Sequence, residues 1–243
     1  MANKTALVIS AHSADFVWRC GGAIALHGKR GYDVTVVCLS YGERGESAKL
    51  WKASDATLEG VKAARRTEAE NAARALGVAD IQFFDCGDYP LELDREAKFR
   101  LVDVIRKVQP AFMLSHSLDD PYNTDHPYAT KVALETRMVA QAWGHEPGQT
   151  VLGAPQLYLF EPHQTEQCGW KPDTILDITE VWEAKKAAIE CMEGQQHLWH
   201  YYTNVAENRA NQFRRNSGGQ AGGREAKYAE AFQSIFPRTV DEL

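Results

Sequence analysis

The stretch TALVISAHSAD, residues 5–15, constrains the fold of this chain more than any other part. Its apolar residues 6–9 do not alternate with polar ones and are β-branched at two positions. Such a run is typical of a strand buried on both faces of a parallel sheet. His12 and Asp15 follow it, and ligands bind at the carboxyl ends of strands in open α/β sheets. We therefore expect both side chains at a binding edge, with a buried histidine and a helix-capping aspartate as the structural alternative.

Strand-like and helix-like segments alternate along the rest of the chain. After the first strand, further strands are predicted at residues 33–40, 81–85, 111–115 and 156–161, with an edge strand at 174–178. Helices are predicted at residues 22–32, 58–76, 94–108, 126–143, 180–191 and 197–213, with Asp125 as the N-cap of the fourth. The pattern predicts an α/β fold with a doubly wound, mostly parallel, Rossmann-like sheet and a C-terminal helical extension.

Length and composition favour one catalytic domain. The 243 residues are 44% hydrophobic and show no shift in composition that would mark a second core. The glycine-rich residues 217–223 are typical of a flexible linker. We therefore expect a single α/β domain over residues 1–216, followed over residues 217–243 by the linker and an amphipathic segment.

Charge and cysteine usage exclude several classes of partner. The net charge of −6 provides no basic surface for nucleic acid or an anionic membrane. The five cysteines are scattered and form no C-x-x-C pair, so neither a disulfide framework nor a thiolate zinc site is predicted. No apolar run approaches the ~20 residues of a membrane span, and the N-terminal one is too short for a signal peptide. We expect a cytoplasmic protein with a small-molecule ligand.

Histidines recur near the ends of the predicted strands. Besides His12, they are His116, His126 and His163, and in a parallel sheet these positions converge on one edge. A catalytic zinc needs three protein ligands and one open position, and two histidines with a carboxylate such as Asp15 meet that need. The same set suits Fe(II) or another divalent metal.

Two motifs resemble those of the LmbE-like or PIG-L zinc deacetylases, which act on N-acetylglucosaminyl substrates. That family carries Ala-His-Pro-Asp-Asp after its first strand and His-x-Asp-His at the start of a later helix. The corresponding segments here are AHSAD, residues 11–15, and NTDH, residues 123–126. The resemblance implies that His12, Asp15 and His126 bind zinc.

The departures from the family motifs concern catalysis. The family's general base corresponds to Ala14, and the histidine that assists its oxyanion corresponds to Asn123. Alanine cannot accept a proton, so the deacetylase mechanism cannot operate in its usual form. The form His-Ser-Ala-Asp, continued by Phe-Val-Trp-Arg, is similar to a branch that hydrates 4-carboxy-2-hydroxymuconate (4-oxalomesaconate) in bacterial gallate and protocatechuate degradation.

That resemblance implies a metal-dependent hydro-lyase acting on a small unsaturated polycarboxylate. A zinc-dependent deacetylase or amidase of N-acetyl sugars is the alternative, and a binding protein that kept the metal but lost catalysis is a third. Water addition needs a base for the attacking water, and Glu46 in the loop after the second strand is predicted to fill this role, with Glu43 as its rival. His163 is predicted to be the acid because histidine titrates near neutral pH, with His116 as the second candidate.

Substrate carboxylates call for arginine, whose planar guanidinium pairs with them in bidentate fashion. Arg19 and Arg44 lie near the motifs, and Arg65 lies on the helix after the loop that carries Glu43 and Glu46. For each of these arginines, the alternative is that it is simply a cation at the surface. With Asn123 and His116 they form the predicted substrate site. We also expect a homo-oligomer.

The residues that follow the third strand are placed at the same edge of the sheet. They are Asp88 and Tyr89, for which ordinary turn chemistry is an equally good interpretation.

Overall fold

The computed structural model describes residues 4–217 and 225–237 of the chain. Its strands are β1 (Thr5–Ser10), β2 (Asp33–Cys38), β3 (Asp80–Phe83), β4 (Phe112–Ser115), β5 (Gln156–Phe160), β6 (Thr174–Asp177) and β7 (Ala229–Ser234). Its α-helices are α1 (Asp15–Lys29), α2 (Leu58–Leu76), α3 (Arg95–Val108), α4 (Asp125–Ala140), α5 (Trp182–Glu190) and α6 (Trp199–Asn216). Short 3₁₀ turns lie at Leu50–Lys52, Thr179–Val181 and Glu193–Leu198.

The strands of the described residues form one sheet in the order β3-β2-β1-β4-β5-β7-β6. Strands β1 to β5 pair in parallel, whereas β7 runs antiparallel to both β5 and β6. The predicted α/β class with a mostly parallel, doubly wound sheet is therefore confirmed. Because β1, β2 and β4 are neighbours, the loops that leave their carboxyl ends lie side by side at one edge.

Strand β1 lies between two apolar layers, one on each face of the sheet. Ala6 and Val8 pack into the cluster that includes α1, α2 and α5, and Leu7 and Ile9 pack into the cluster that includes α3 and α4. These four side chains are at most 2% exposed. Burying an aliphatic side chain completely contributes roughly 1.5–3 kcal/mol, which explains why this unalternated run occupies the centre of the sheet.

Helix α2 has the bounds that the sequence predicts. The side chain of Thr57 accepts a hydrogen bond from the backbone N–H of Gly60 and so caps the first turn. At the other end, Gly77 adopts φ 72°, a left-handed conformation that glycine enters without steric cost and that ends the helix.

Helix α1 begins at Asp15, seven residues before its predicted start at residue 22. The backbone leaves helical geometry at Cys20, where φ is −143°. This kink frees the N–H groups of Gly22 and Ala23, which each donate to the carboxylate of Glu230 at 2.7 Å. The predicted start is therefore the beginning of the second half of a kinked helix.

The segment predicted to follow the sheet as an amphipathic extension contributes a strand to it. Residues 229–234 form β7 between β5 and β6, with Glu230 buried and its carboxylate 2.6 Å from Nζ of Lys185. Glu230 interrupts the apolar pattern expected of a buried strand, and its partner Lys185 lies too far away in sequence to indicate that the charge is paired. The predicted linker falls mostly on residues 218–224, outside the described residues.

A membrane-crossing helix is absent from the parts of the chain that the structure describes, because none is both long and apolar enough.

Candidate metal centre and substrate cavity

Four side chains converge at the carboxyl edge of the sheet. His12 follows β1, Asp15 opens α1, Glu46 lies in the loop after β2, and His126 lies in the first turn of α4. One donor atom from each lies within 4.8 Å of all the others. The structure thus brings the three predicted metal ligands together and adds Glu46, the predicted base, to the same cluster.

The ring of His12 is held between carboxylates. Its Nε2 lies 3.2 Å from Oδ2 of Asp125, whose carboxylate also accepts the backbone N–H groups of Tyr89 at 3.0 Å and Leu91 at 2.9 Å. Its Nδ1 lies 3.1 Å from Asp15 Oδ2 and 3.2 Å from Glu46 Oε1. When Nε2–H donates to Asp125, the lone pair of Nδ1 faces two carboxylates.

His126 repeats this arrangement. Its Nδ1 lies 2.8 Å from Oδ2 of Asp120, which orients the ring. Its Nε2 lies 3.4 Å from Asp15 Oδ1 and 3.8 Å from Glu46 Oε1, and this buried nitrogen makes no hydrogen bond within the described residues. A second nitrogen lone pair therefore faces the same two carboxylates.

Lone pairs that face carboxylate oxygens in a buried site need a positive charge between them. Burial would lower the pKa of His12, but the Glu46 carboxylate and the hydrogen bonds to Asp125 and Asp15 raise it well above its ordinary value. The cluster thus attracts a proton or a cation. Two imidazoles with carboxylates are ligands that zinc and Fe(II) accept, so the donor set fits a divalent metal.

Asp120 and Asp125 contact the two histidines of the cluster but were not predicted as part of the metal site. Asp125 was predicted to cap α4, but Thr124 occupies the cap position, and the Asp125 carboxylate turns toward His12. Metal-bound histidines usually donate their other N–H to a carboxylate, which fixes the ring. The aspartates that crowd the loop before His126 were therefore a usable signal.

A cavity of about 190 Å³ adjoins the cluster. Beside the cluster, its wall includes Trp18, Arg19, Asn123, His163, Gln195 and Tyr202. Of the other predicted site residues, Arg19, Asn123 and His163 reach the cavity.

Arg19 gives the cavity its positive charge. Among the described residues, no other arginine or lysine forms part of the wall. Its side chain is buried, with one terminal N–H donating to the backbone oxygen of Glu161 at 2.8 Å and Nε lying 3.5 Å from Oδ1 of Asp15. This placement suits an anionic ligand next to the metal cluster.

Asn123 links the loop that carries Glu46 to the start of α4. Its amide nitrogen donates to Oε1 of Glu46 at 3.3 Å, and its amide oxygen accepts the backbone N–H of Asp125 at 3.1 Å. The side chain thus holds the Glu46 carboxylate at the cavity wall.

His163 lies on the cavity wall and is not one of the four residues of the metal cluster. Its Nδ1 is 3.4 Å from the hydroxyl of Tyr202, and its backbone oxygen accepts a hydrogen bond from the hydroxyl of Tyr201. Burial, together with the positive charge of Arg19, lowers the pKa of His163 below its ordinary value. The structure therefore shifts the titration of this ring to lower pH than the sequence alone suggests.

The structure does not bring Arg44 and Arg65 into the cavity. Arg44 is exposed and donates to the backbone oxygen of Asp88 at 2.9 Å. Arg65 is fully buried, and its guanidinium donates to Glu68 at 2.7 Å and to Gln195 at 3.1 Å. Neither guanidinium is placed to pair with a carboxylate in the cavity.

His116 and Glu43 also lie outside the cavity wall. The Nε2 atom of His116 accepts the backbone N–H of Ala11 at 2.9 Å, and its ring stacks on His126 with centroids 4.3 Å apart. Burial lowers the pKa of His116 well below its ordinary value, which keeps the ring neutral. Glu43 accepts the backbone N–H of Tyr41 at 3.2 Å. Both geometries favour Glu46 and His163 over these rivals.

Asp88 holds the loop that carries Glu46. Its buried carboxylate accepts the backbone N–H of Arg44 at 2.9 Å and that of Gly45 at 2.7 Å. The predicted placement of Asp88 at this edge therefore corresponds to a structural anchor next to the proposed base.

Replacement Asp88→Asn is expected to lower turnover by about tenfold to a hundredfold, because an amide nitrogen facing backbone donors shifts Glu46, and small misplacements of a catalytic group are costly. The matched control is Asp85→Asn, which removes a carboxylate that pairs with Lys62 at 2.8 Å near the surface. Steady-state kinetics on both metal-loaded variants provides the measurement. Equal turnover in the two variants would show that Asp88 does not position the loop.

Comparison with known proteins identifies the family. The family model for PIG-L, GlcNAc-PI de-N-acetylase, matches residues 7–136. The chain belongs to the PIG-L family, as the two motifs predict.

The chain is more similar to some members of that family than to others. The chain is 60% identical over 240 residues to the 4-oxalmesaconate hydratase of Pseudomonas putida, covering 99% of this chain and 92% of the relative. The crystal structure of GalB, the 4-carboxy-2-hydroxymuconate hydratase from Pseudomonas putida, superposes with a TM-score of 0.96 at 60% identity and covers 99% of both chains. Diacetylchitobiose deacetylase of Thermococcus kodakarensis is 30% identical over 200 residues, covering 79% of this chain and 70% of the relative.

Proposed function

We propose that this protein is a metal-dependent hydratase of 4-carboxy-2-hydroxymuconate (4-oxalomesaconate) in the catabolism of gallate or protocatechuate. The observation that carries the proposal is the 60% identity to the hydratase of Pseudomonas putida over 99% of the chain. We further propose that it works in the cytoplasm as a homo-oligomer, without nucleic acid or membrane partners.

The size of the cavity and the guanidinium of Arg19 on its wall support a small anionic substrate. Its volume of about 190 Å³ is below the roughly 300–1,000 Å³ of pockets that hold drug-sized ligands. Arg19 supplies a guanidinium for a substrate carboxylate. A deacetylase of N-acetyl sugars is less well supported, because Ala14 is buried in the apolar core where the family has its base.

His12, Asp15 and His126 are the side chains that would hold the metal, with zinc as the first choice and Fe(II) or another divalent ion as the alternative. When bound, such a cation supplies Lewis acidity that makes water a better nucleophile near neutral pH. Asp120 and Asp125 orient the two histidines for that purpose.

Glu46 acts as the base in this proposal. Burial raises the pKa of its carboxyl, but the neighbouring His12 and His126 lower it, and the net pKa lies below the ordinary value. The group therefore stays ionised at neutral pH and can accept a proton from the attacking water. The hydrogen bond from Asn123 fixes the carboxylate for this transfer.

His163 acts as the acid on another side of the cavity. The oxygen of water bonds to one carbon of the double bond, the water's proton passes to Glu46, and His163 delivers a proton to the other reacting end of the conjugated system. The sum of these transfers is the addition of one water molecule. Arg19 pairs with a substrate carboxylate and so places the double bond between the two groups.

The direct test is an assay of the zinc-loaded protein with 4-carboxy-2-hydroxymuconate. We expect near-ultraviolet absorbance to fall, because hydration removes a conjugated double bond. Diacetylchitobiose is the matched amide substrate, for which we expect no release of acetate. Acetate release without hydration would establish the deacetylase function instead, and inactivity toward both compounds would overturn the proposal.

A further inference from the structure

The side-chain oxygen of Gln195, a residue of the cavity wall, is held by two hydrogen-bond donors. Gln195 lies in the 3₁₀ turn Glu193–Leu198, is 7% exposed and forms part of the wall. Its Oε1 accepts hydrogen bonds from the indole Nε1 of Trp18 at 3.4 Å and from the guanidinium of Arg65 at 3.1 Å. Both partners can only donate, so the oxygen of the amide must face them.

The two side chains that donate to Oε1 of Gln195 are themselves held in place. Arg65 is fully buried and is itself fixed by Glu68 at 2.7 Å. The Trp18 ring stacks on Tyr202, with centroids 5.3 Å apart and planes 12° from parallel. The amide of Gln195 therefore cannot turn over without leaving two donors unsatisfied in the interior, which is costly.

The fixed oxygen determines where the amide nitrogen is available. Over residues 4–217 and 225–237, Nε2 of Gln195 donates to no protein atom. Because Gln195 lines the cavity, this N–H group is available to donate to a ligand there. Such a donor suits an oxygen acceptor on the ligand.

We propose that Gln195 binds a carboxylate of the substrate through its amide N–H, in the orientation that the hydrogen bonds from Trp18 and Arg65 to its oxygen fix. The proposal rests on the proposed function and names a second anion contact within that site. Three acidic side chains, Asp15, Glu46 and Asp120, also line the cavity, whereas Arg19 is its single arginine or lysine in the described parts of the chain. A polycarboxylate therefore needs neutral donors in addition to Arg19.

The substitution Gln195→Glu separates this role from a purely structural one. A glutamate has nearly the same shape and still accepts from Trp18 and Arg65, but it turns a carboxylate oxygen toward the substrate. We expect KM to rise by about tenfold to a hundredfold, with kcat changed only a few-fold, because a hydrogen bond to a charged group is lost and a repulsion is added. A structural role alone would leave KM unchanged.

Gln196→Glu is the matched control, because it makes the same charge change at the next residue, which is exposed. It should keep the KM of the wild type. Gln195→Met, which adds no charge but removes both the amide donor and the oxygen that accepts from Trp18 and Arg65, is the second variant and should raise KM less than Gln195→Glu does. Thermal unfolding of each variant identifies any loss of folded protein.

Titration calorimetry of the zinc-loaded proteins with propane-1,2,3-tricarboxylate tests binding without turnover. We expect weaker binding by Gln195→Glu than by the wild type and by Gln196→Glu. If the wild type hydrates the substrate while Gln195→Glu keeps both KM and affinity, the assignment of Gln195 is overturned and the proposed function stands. If the wild type does not hydrate the substrate but Gln195→Glu still loses affinity, the proposed function fails and the anion contact stands.

Discussion

Replacement of His12 or His126 by alanine is expected to weaken metal binding by more than about a hundredfold and to abolish hydration. Changing a carboxylate that merely orients a metal-bound histidine typically costs 10–100-fold in affinity, so the loss of a direct ligand should cost more. One ring nitrogen of His12 lies 3.1 Å, and one of His126 lies 3.4 Å, from oxygens of Asp15. Without one of these rings, the site keeps a single imidazole beside the carboxylates of Asp15 and Glu46, instead of the two imidazoles and a carboxylate of the proposed ligand set.

Zinc affinity measured by competition with a chelator tests this expectation without relying on activity. Asp120→Asn should give an intermediate loss, because it removes only the acceptor that orients His126. His197→Ala, at an exposed position, should retain full affinity. Unchanged affinity in His126→Ala would remove that residue from the ligand set.

The meeting of His12, Asp15 and His126 could be predicted from the sequence because these residues are tied to local features. His12 follows a strand whose four apolar residues identify it as central, and Asp15 lies within a helical turn of it. His126 opens a helix that a polar loop connects to another parallel strand. In a parallel sheet, these local placements are sufficient to predict that the side chains meet.

The cavity wall could be predicted only in part, because much of it comes from the C-terminal region. Gln195 and Tyr202 lie far in sequence from both motifs and carry no pattern that indicates a site. Arg65 was predicted to bind substrate because it lies on the helix that follows the loop of Glu43 and Glu46. Its side chain is buried against Gln195 instead, a direction that local sequence does not determine.

The C-terminal strand shows the same limit for the fold. Glu230 stabilises the kink in α1 and pairs with Lys185, and these partners are distant along the chain. A buried charge costs free energy unless it is paired, so the sequence pattern alone argues against placing Glu230 in the interior. Only the assembled helices reveal the partners that make this strand possible.

Replacement Glu46→Gln is expected to lower kcat by about a hundredfold to ten-thousandfold, the usual effect of removing a general base. The amide keeps the shape of the side chain but cannot accept the proton of the attacking water. Glu43→Gln is the matched control, because Glu43 lies in the same loop, accepts the backbone N–H of Tyr41 and is not part of the cavity wall. Near-normal turnover in Glu46→Gln would shift the role to Glu43, and a loss of zinc from this variant would make Glu46 a ligand.

The companion substitution His163→Ala should lower kcat by a similar factor, with a distinct pH dependence. An acid must be protonated to act, so activity that depends on His163 falls as pH rises through its pKa. Burial and Arg19 lower that pKa in the free enzyme, which places the falling limb of kcat/KM below the ordinary histidine value of 6.5. A carboxylate bound at Arg19 offsets its positive charge, so the corresponding limb of kcat should lie at higher pH than that of kcat/KM.

The pH profiles of wild type, His163→Ala and the exposed-site control His197→Ala measure this shift. The falling limb should flatten in His163→Ala and persist in His197→Ala, with zinc bound in all three proteins. A limb that persists in His163→Ala at an unchanged pH would belong to another group. Since His116 is buried behind His126 and kept neutral, the acid would then have to be sought among the other groups that line the cavity.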